Sequence, residues 1–126
     1  MKLDKADLLY RPRRLRKTDN LRRLVQEHRL HIDDLIAPLF VIEGNNIKNP
    51  ISSMPGIYQW SLDRINEEID KLLEAGVTRV ILFGIPGKKD NKASGSYKDS
   101  GIIQKTVSRL HIEYPDLFII TDLCFC

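Results

Sequence analysis

The residues with the clearest chemical character stand at the end of the chain, in Asp122-Leu123-Cys124-Phe125-Cys126. Thiolate sulfur is a good zinc ligand, and two thiolates two apart on extended backbone reach one ion from the same side. These are the two cysteines of the 126-residue sequence. A spacing of two closes no useful disulfide loop. In a reducing compartment such a pair indicates metal or redox chemistry. A catalytic zinc needs at least three protein ligands, and no histidine is near, since His111 belongs to the preceding helical segment. By spacing alone the motif is incomplete, and two small hydrophobic residues at a strand end account for it equally well. Asp122 offers a carboxylate that could hold an amine or a water, or simply a solvated loop cap.

A second candidate is the basic run Arg11-Pro12-Arg13-Arg14-Leu15-Arg16-Lys17. Residues 1–30 hold ten Lys/Arg against four Asp/Glu, a net +6, while residues 31–126 hold ten against thirteen, a net −3. A basic head of this kind suits phosphate or nucleic acid. No aromatic residue is interleaved with it, however, and no recognition helix follows. An arm that docks on acidic patches of a neighbouring subunit is equally physical. The loop Gly84-Ile85-Pro86-Gly87-Lys88-Lys89-Asp90 lacks the spacing of a phosphate loop. His28, His31 and His111 have no partner at ligand spacing.

Three apolar runs and three helical segments must position these groups. Residues 1–17 have little apolar periodicity and read as an extended arm. Thr18 caps a helix expected over 19–28, with Leu21, Leu24 and Val25 at helical spacing. Residues 34–42 form a continuous apolar run, a buried strand in which Pro38 suggests an edge or irregular position. Residues 50–56 read as a loop, with Pro55-Gly56 as the turn. Ser61 is the expected cap of a second helix whose stripe is Leu62, Ile65, Ile69, Leu72 and Leu73, and Gly76 ends it. Val77–Phe83 is a second buried strand. Residues 84–100 are a long loop, and Ile102, Ile103, Thr106, Val107 and Leu110 mark a third helix that Pro115 stops. Leu117–Leu123 is the last strand, which carries the cysteine pair at its C-terminal end.

Helices alternating with continuous apolar strands indicate an α/β fold with a parallel sheet. An open doubly wound sheet and a (β/α)8 barrel both meet this description, and both place chemistry in the loops after the strands. Hydrophobic content of 42% supports a packed core. No apolar run approaches the ~20 residues of a membrane helix, and Met1-Lys2-Leu3-Asp4-Lys5 has no apolar stretch behind it. A cytoplasmic protein with no membrane partner is the expectation.

Several segments together resemble one family, the porphobilinogen synthases (5-aminolevulinate dehydratases). Arg11-Pro12-Arg13-Arg14-Leu15-Arg16 resembles the arm of its bacterial members, and Asp34–Val41 resembles its first barrel strand. Ser53-Met54-Pro55-Gly56-Ile57 is similar to its turn, and Phe83–Pro86 with Lys88, Asp90, Gly95, Tyr97, Asp99 and Gly101 is similar to its second strand and loop. Thr121–Cys126 is similar to the start of its D-x-C-x-C zinc motif. Ala93 stands where many members have glycine, and a positive φ there would strain it.

The resemblance implies the N-terminal portion of a (β/α)8 barrel: an arm over residues 1–17, then about three βα units of an incomplete barrel over residues 18–126. It implies condensation of two 5-aminolevulinate molecules to porphobilinogen with loss of two waters. Cys124 and Cys126 would be two ligands of a three-cysteine zinc, with the third ligand beyond residue 126. Asp122 would be an active-site carboxylate. The arm would build a homo-octamer, and no nucleic acid is implied. The two lysines that form Schiff bases in the family match no lysine here, so the 126-residue polypeptide is expected to be inactive alone. A free-standing α/β metal- or redox-binding module using the cysteine pair is the alternative.

Overall fold

The three apolar runs form parallel strands. They are β1 (Ala37–Ile42), β4 (Arg79–Ile85) and β5 (Phe118–Thr121), and two short strands, β2 (Lys48–Pro50) and β3 (Tyr58–Ser61), lie between the first two in sequence. β1 pairs with β4 from Ala37 opposite Val80 to Ile42 opposite Ile85. β5 joins the other side of β4, from Arg79 opposite Phe118 to Leu82 opposite Thr121. The sheet order is β2-β3-β1-β4-β5.

The β2–β3 pair is the feature that the sequence did not suggest. Pro55-Gly56 does turn the chain, but the residues around it pair antiparallel, Lys48 opposite Trp60 and Pro50 opposite Tyr58. β3 then lies parallel to β1, with Phe40 opposite Gln59 and Ile42 opposite Ser61. Pro50 sits on the edge strand, where a missing N–H is tolerated. Pro38 falls in the part of β1 that β3 does not reach, which suits its edge-like character. Ser61 is fully buried at the end of β3 rather than a helix cap. Its hydroxyl accepts from the Ile47 amide at 2.9 Å, which satisfies a polar group that burial would otherwise penalise.

Two helices cover one face of the sheet, α2 (Asn66–Glu74) and α4 (Ile102–Glu113). Side chains alternate along a strand, so Leu39, Val41, Val80 and Leu82 share this face, and all are buried. They pack with Trp60, Ile65, Ile69, Leu110 and Leu117 into one cluster, against which Leu72, Leu73, Ile103 and Val107 lie partly buried. The predicted stripes of both helices therefore meet the sheet as expected. Gly76, at φ +84, closes α2, with the amides of Gly76 and Val77 reaching back to Leu73 and Leu72. Polar contacts tie the helices together at the surface: Asn66 Nδ2 donates to Glu113 Oε2 at 2.7 Å, and Tyr114 Oη donates to Asp70 Oδ1 at 2.8 Å. Burial and the Asp70 carboxylate push the Tyr114 phenol up to about 12.

The opposite face has no such cover among the described residues. Phe40 and Phe83 stack there with ring centroids 5.3 Å apart. Ile42, Ile81 and Ile120 share the face and are partly exposed, and Phe118 is 62% exposed.

The computed structural model describes residues 13–123. The described residues fall into two compact units that meet in sequence between Leu30 and His31. In the first unit Arg14–Arg16 form one 3-10 turn instead of extended chain. The helix there, α1 (Asp19–Leu24), is shorter than the expected 19–28, and Thr18 caps it as expected by accepting from the Leu21 amide at 3.2 Å.

One covered and one bare sheet face predict marginal folding of the isolated 126-residue polypeptide. Sedimentation at rising concentration should show self-association, whereas a monodisperse monomer with a cooperative unfolding transition would count against it. Leu110→Ala should cost about 2–5 kcal/mol, a large share of any marginal stability. Emission from the buried Trp60 should then shift to the red without denaturant.

Candidate functional site

The C-terminal ends of β1, β4 and β5 converge on a cavity of about 480 Å³. Phe40 and Phe83 form its apolar floor, continued by Ile85 and Pro86. Asp122 lines one part and Lys88 and Lys89 line another. Asp122 directly follows β5, and its amide donates to the Leu82 carbonyl at 3.4 Å, extending the ladder by one residue. Alternation from Ile120 puts the Asp122 side chain on the Phe83 side of the sheet. The result is a hollow with a greasy base, a carboxylate and two ammonium groups.

The loop after β4 supplies most of the wall. Asp90 knots it: its Oδ1 accepts from the amides of Lys92 at 3.0 Å and Ser94 at 2.9 Å. The Ser94 amide foremost, then the Ser94 hydroxyl and the Lys92 amide, hold the Asp90 carboxyl below its ordinary value. A four-residue helical turn follows, α3 (Ser94–Tyr97), which the Gly- and Ser-rich sequence did not suggest. Ala93 precedes it at φ 49°, ψ 39°, the left-handed conformation in which alanine is strained.

Helix α4 clasps the loop. Gln104 Nε2 donates to the Ser96 carbonyl at 2.7 Å. A Cβ on Gly101 would lie 2.6 Å from the Gly95 carbonyl oxygen and 3.0 Å from that of Lys98, so the loop backbone packs where a side chain would stand. A Cβ on Gly84 would lie 2.6 Å from Ile103 Cγ1, which shows how closely α4 approaches the end of β4. Glycine at both positions lets helix and loop close on the strand ends.

Of the residues expected to do chemistry, Asp122 stands in this cavity, while Cys124 and Cys126 lie outside the described residues. Among the described residues no three His, Cys, Asp or Glu side chains form a group able to hold a metal. Sequence reasoning missed the Phe40–Phe83 floor and the Lys88–Lys89 wall. The available signal was Lys-Lys in the loop that opens at a strand end, three residues past Ile85, the region where α/β folds keep their chemistry. A second, more open hollow of about 510 Å³ lies within the first unit, among Leu15, Arg16, Asp19, Arg22 and Arg23. It holds neither a nucleophile nor a histidine. No helix among the described residues is long and apolar enough to cross a membrane.

Two outcomes follow from the loop. A carboxyl whose folded pKa is lowered stabilises fully above its ordinary value of 3.8 and loses that contribution as pH falls through the lower, folded value. Hydrogen-exchange mass spectrometry of residues 88–98 should show protection that holds above that value and fades below it, and Asp90→Asn should lack this dependence. Relief of left-handed strain by Ala93→Gly, less the added freedom of the unfolded chain, amounts to about 0.5–1 kcal/mol. Exchange in the same segment should slow about two- to fivefold. Faster exchange in the glycine variant would contradict the strain.

Comparison with known proteins places this geometry. The family model for delta-aminolevulinic acid dehydratase matches residues 9–126. The chain is 45% identical over 116 residues to the delta-aminolevulinic acid dehydratase of Halalkalibacterium halodurans, covering 92% of this chain and 35% of the relative. The Synechocystis protein of the same name is 48% identical over 116 residues, covering 92% and 36%. That of Ruminiclostridium josui is 45% identical over 119 residues, covering 94% and 58%. The crystal structure of the Toxoplasma gondii enzyme in complex with the reaction product porphobilinogen superposes with a TM-score of 0.83 at 31% identity, covering 92% of this chain and 33% of that one. The chain thus spans about a third of the first two relatives and of the solved structure. Over nearly its whole length, this chain belongs to the delta-aminolevulinic acid dehydratase, or porphobilinogen synthase, family.

Proposed function

We propose that this chain is the N-terminal portion of a porphobilinogen synthase, a lyase that condenses two 5-aminolevulinate molecules to porphobilinogen with loss of two waters. The observation that carries the reading is Asp122 in a cavity at the strand ends, within a chain similar to an enzyme solved with porphobilinogen bound. Residues 18–126 are read as the opening portion of a (β/α)8 barrel, and residues 1–17 as the arm. The parallel run β1-β4-β5, with successive helices on one face, supports this. The bare Phe40–Phe83 face would then be the barrel interior. The same bare face speaks against a free-standing metal or redox module, which would need its sheet covered on both sides.

Within the cavity Asp122 accepts hydrogen bonds from a substrate ammonium group and fixes its orientation. Phe40 and Phe83 pack on the carbon chain and exclude water, which strengthens that contact. The lysines that form Schiff bases are assigned to the polypeptide beyond residue 126.

The donor chemistry after β5 fits zinc. Two thiolates suit zinc, whereas magnesium takes oxygen ligands, and Cys124 and Cys126 follow directly on the strand end that delivers Asp122. Cys124 and Cys126 would hold the ion together with a third ligand from outside this chain. Bound there, zinc would polarise a substrate oxygen. A cytoplasmic location and assembly into a homo-octamer through the arm complete the reading, with no nucleic-acid partner.

The 126-residue polypeptide alone should release no porphobilinogen from 5-aminolevulinate. Joined to the remaining two thirds of the Halalkalibacterium halodurans relative, it should form the product. In that chimera Cys124→Ser with Cys126→Ser should lower both zinc content and turnover, the latter by more than about 100-fold, beyond what loss of an outer-shell partner costs. Full turnover by the double variant would remove the zinc assignment, and turnover by the isolated polypeptide would remove the division of labour.

A further inference from the structure

The cavity wall that follows β4 is built as a unit of its own. Between Pro86 and Gly101 its polar groups bond mostly to one another. Asp90 Oδ1 accepts from the amides of Lys92 and Ser94, Ser96 Oγ donates to the Ala93 carbonyl at 2.8 Å, and Tyr97 Oη donates to Ser94 Oγ at 3.3 Å. The Ala93 and Ser96 amides also bond within the loop, to the carbonyls of Asp90 and Ala93. A segment that satisfies its own backbone groups does not need the sheet to keep its shape.

Its fastening to the rest of the fold is slight by comparison. Among the described residues none of Lys88, Lys89, Lys92, Lys98 and Asp99 forms an ion pair. The side-chain bond that crosses is Gln104 Nε2 to the Ser96 carbonyl, at 2.7 Å from the first turn of α4. The same amide opposes itself: Gln104 Oε1 is buried and has no hydrogen-bond partner among the described residues. An unpaired buried acceptor offsets much of what one hydrogen bond contributes. The ends of the loop suit a swing. Gly87 follows Pro86 at one end. At the other, the Gly101 amide closes a turn on the Lys98 carbonyl at 2.8 Å, just before α4 begins. Hinges are short element-terminal stretches of this kind.

We propose that residues 87–100 form a flap that swings as a rigid unit over the strand-end cavity, with Gln104 as its latch. Lifting the flap removes much of one wall and opens the Phe40–Phe83 floor to solvent. Such gating controls entry and release rather than chemistry, and it holds whatever the cavity binds.

The test combines residue-resolved hydrogen exchange by mass spectrometry with hydroxyl-radical footprinting of the full 126-residue chain, since both tolerate self-association. In the unmodified chain the Gly101 amide should exchange faster than that of Ser94, because each swing breaks the hinge turn and spares the Asp90 knot. Gln104→Glu sets a carboxylate against the Ser96 carbonyl. It should speed Gly101 exchange about tenfold, the loss of the crossing bond, and raise labelling of Phe83. Ser94 exchange should not change, nor should labelling of Phe118, which shares the bare face at the other end of the sheet. Gln104→Lys keeps a donor and drops the orphaned oxygen, so Gly101 should exchange no faster than in the unmodified chain. Ser94 exchanging as fast as Gly101 in the unmodified chain, or accelerating with it in the glutamate variant, means a loop that frays and overturns the flap. Gly101 exchange indifferent to Gln104→Glu, or faster in Gln104→Lys, overturns the latch. Trp60 emission checks folding. If Gln104→Glu unfolds the chain, the order of exchange in the unmodified chain and the response to Gln104→Lys decide.

Discussion

The in-register pairing of β1 with β4 is the constraint on which the rest of the structure depends. Six consecutive positions, Ala37–Ile42 opposite Val80–Ile85, fix which side chains share a face. A slip of β1 by one residue would turn Leu39 and Val41 away from the helices and bring Phe40 into their place, and a slip of β4 would exchange Leu82 for Phe83. The register holds because α2 and α4 offer Ile69 and Leu110, both fully buried, to one face only. It also sets the site. With Leu39 and Leu82 committed to the helices, Phe40 and Phe83 are left to stack on the other side at the strand ends.

From that ladder the site is built by close approach rather than by strong bonds. Glycine at positions 84 and 101 removes the side chains that would hold α4 and its loop away from the sheet. The loop backbone then satisfies itself locally, through Asp90, through Ser96 Oγ donating to the Ala93 carbonyl at 2.8 Å, and through Gln104. This leaves the lysines before the knot and Asp122 after β5 to face a common hollow. The left-handed Ala93 is a local conflict in this loop. Strained residues persist where their surroundings over-determine them, and here Asp90 bonds on both sides of the strained position.

Much of this was legible from residue order. The strands β1, β4 and β5 announce themselves as apolar runs bounded by turn residues, and the stripes of α2 and α4 by helical spacing. The β2–β3 pair was hidden because its strands are three and four residues long and lie around Pro50 and Pro55-Gly56. Those residues signal a turn but do not reveal that the flanks pair. Ser61 misled for a related reason. A serine before an apolar stripe has the appearance of a cap, and only the tertiary structure shows its hydroxyl turned to Ile47 inside the core. The strain at Ala93 could be anticipated once family resemblance suggested glycine there. Asp122 was legible as a strand-end carboxylate. The lysine wall was not, because charge on a loop looks solvated until the fold brings a carboxylate and an aromatic floor beside it.

The family assignment rests on the length of the match, and the chemistry rests on the bare sheet face being the inside of an active site. The most direct measurement is a crystal structure of this chain joined to the remaining two thirds of a relative, with porphobilinogen bound. The predicted result places the product over the Phe40–Phe83 pair with its amine within about 3 Å of the Asp122 carboxylate. Product bound away from those strand ends, or a chimera in which helices rather than strands cover Phe40 and Phe83, would contradict it.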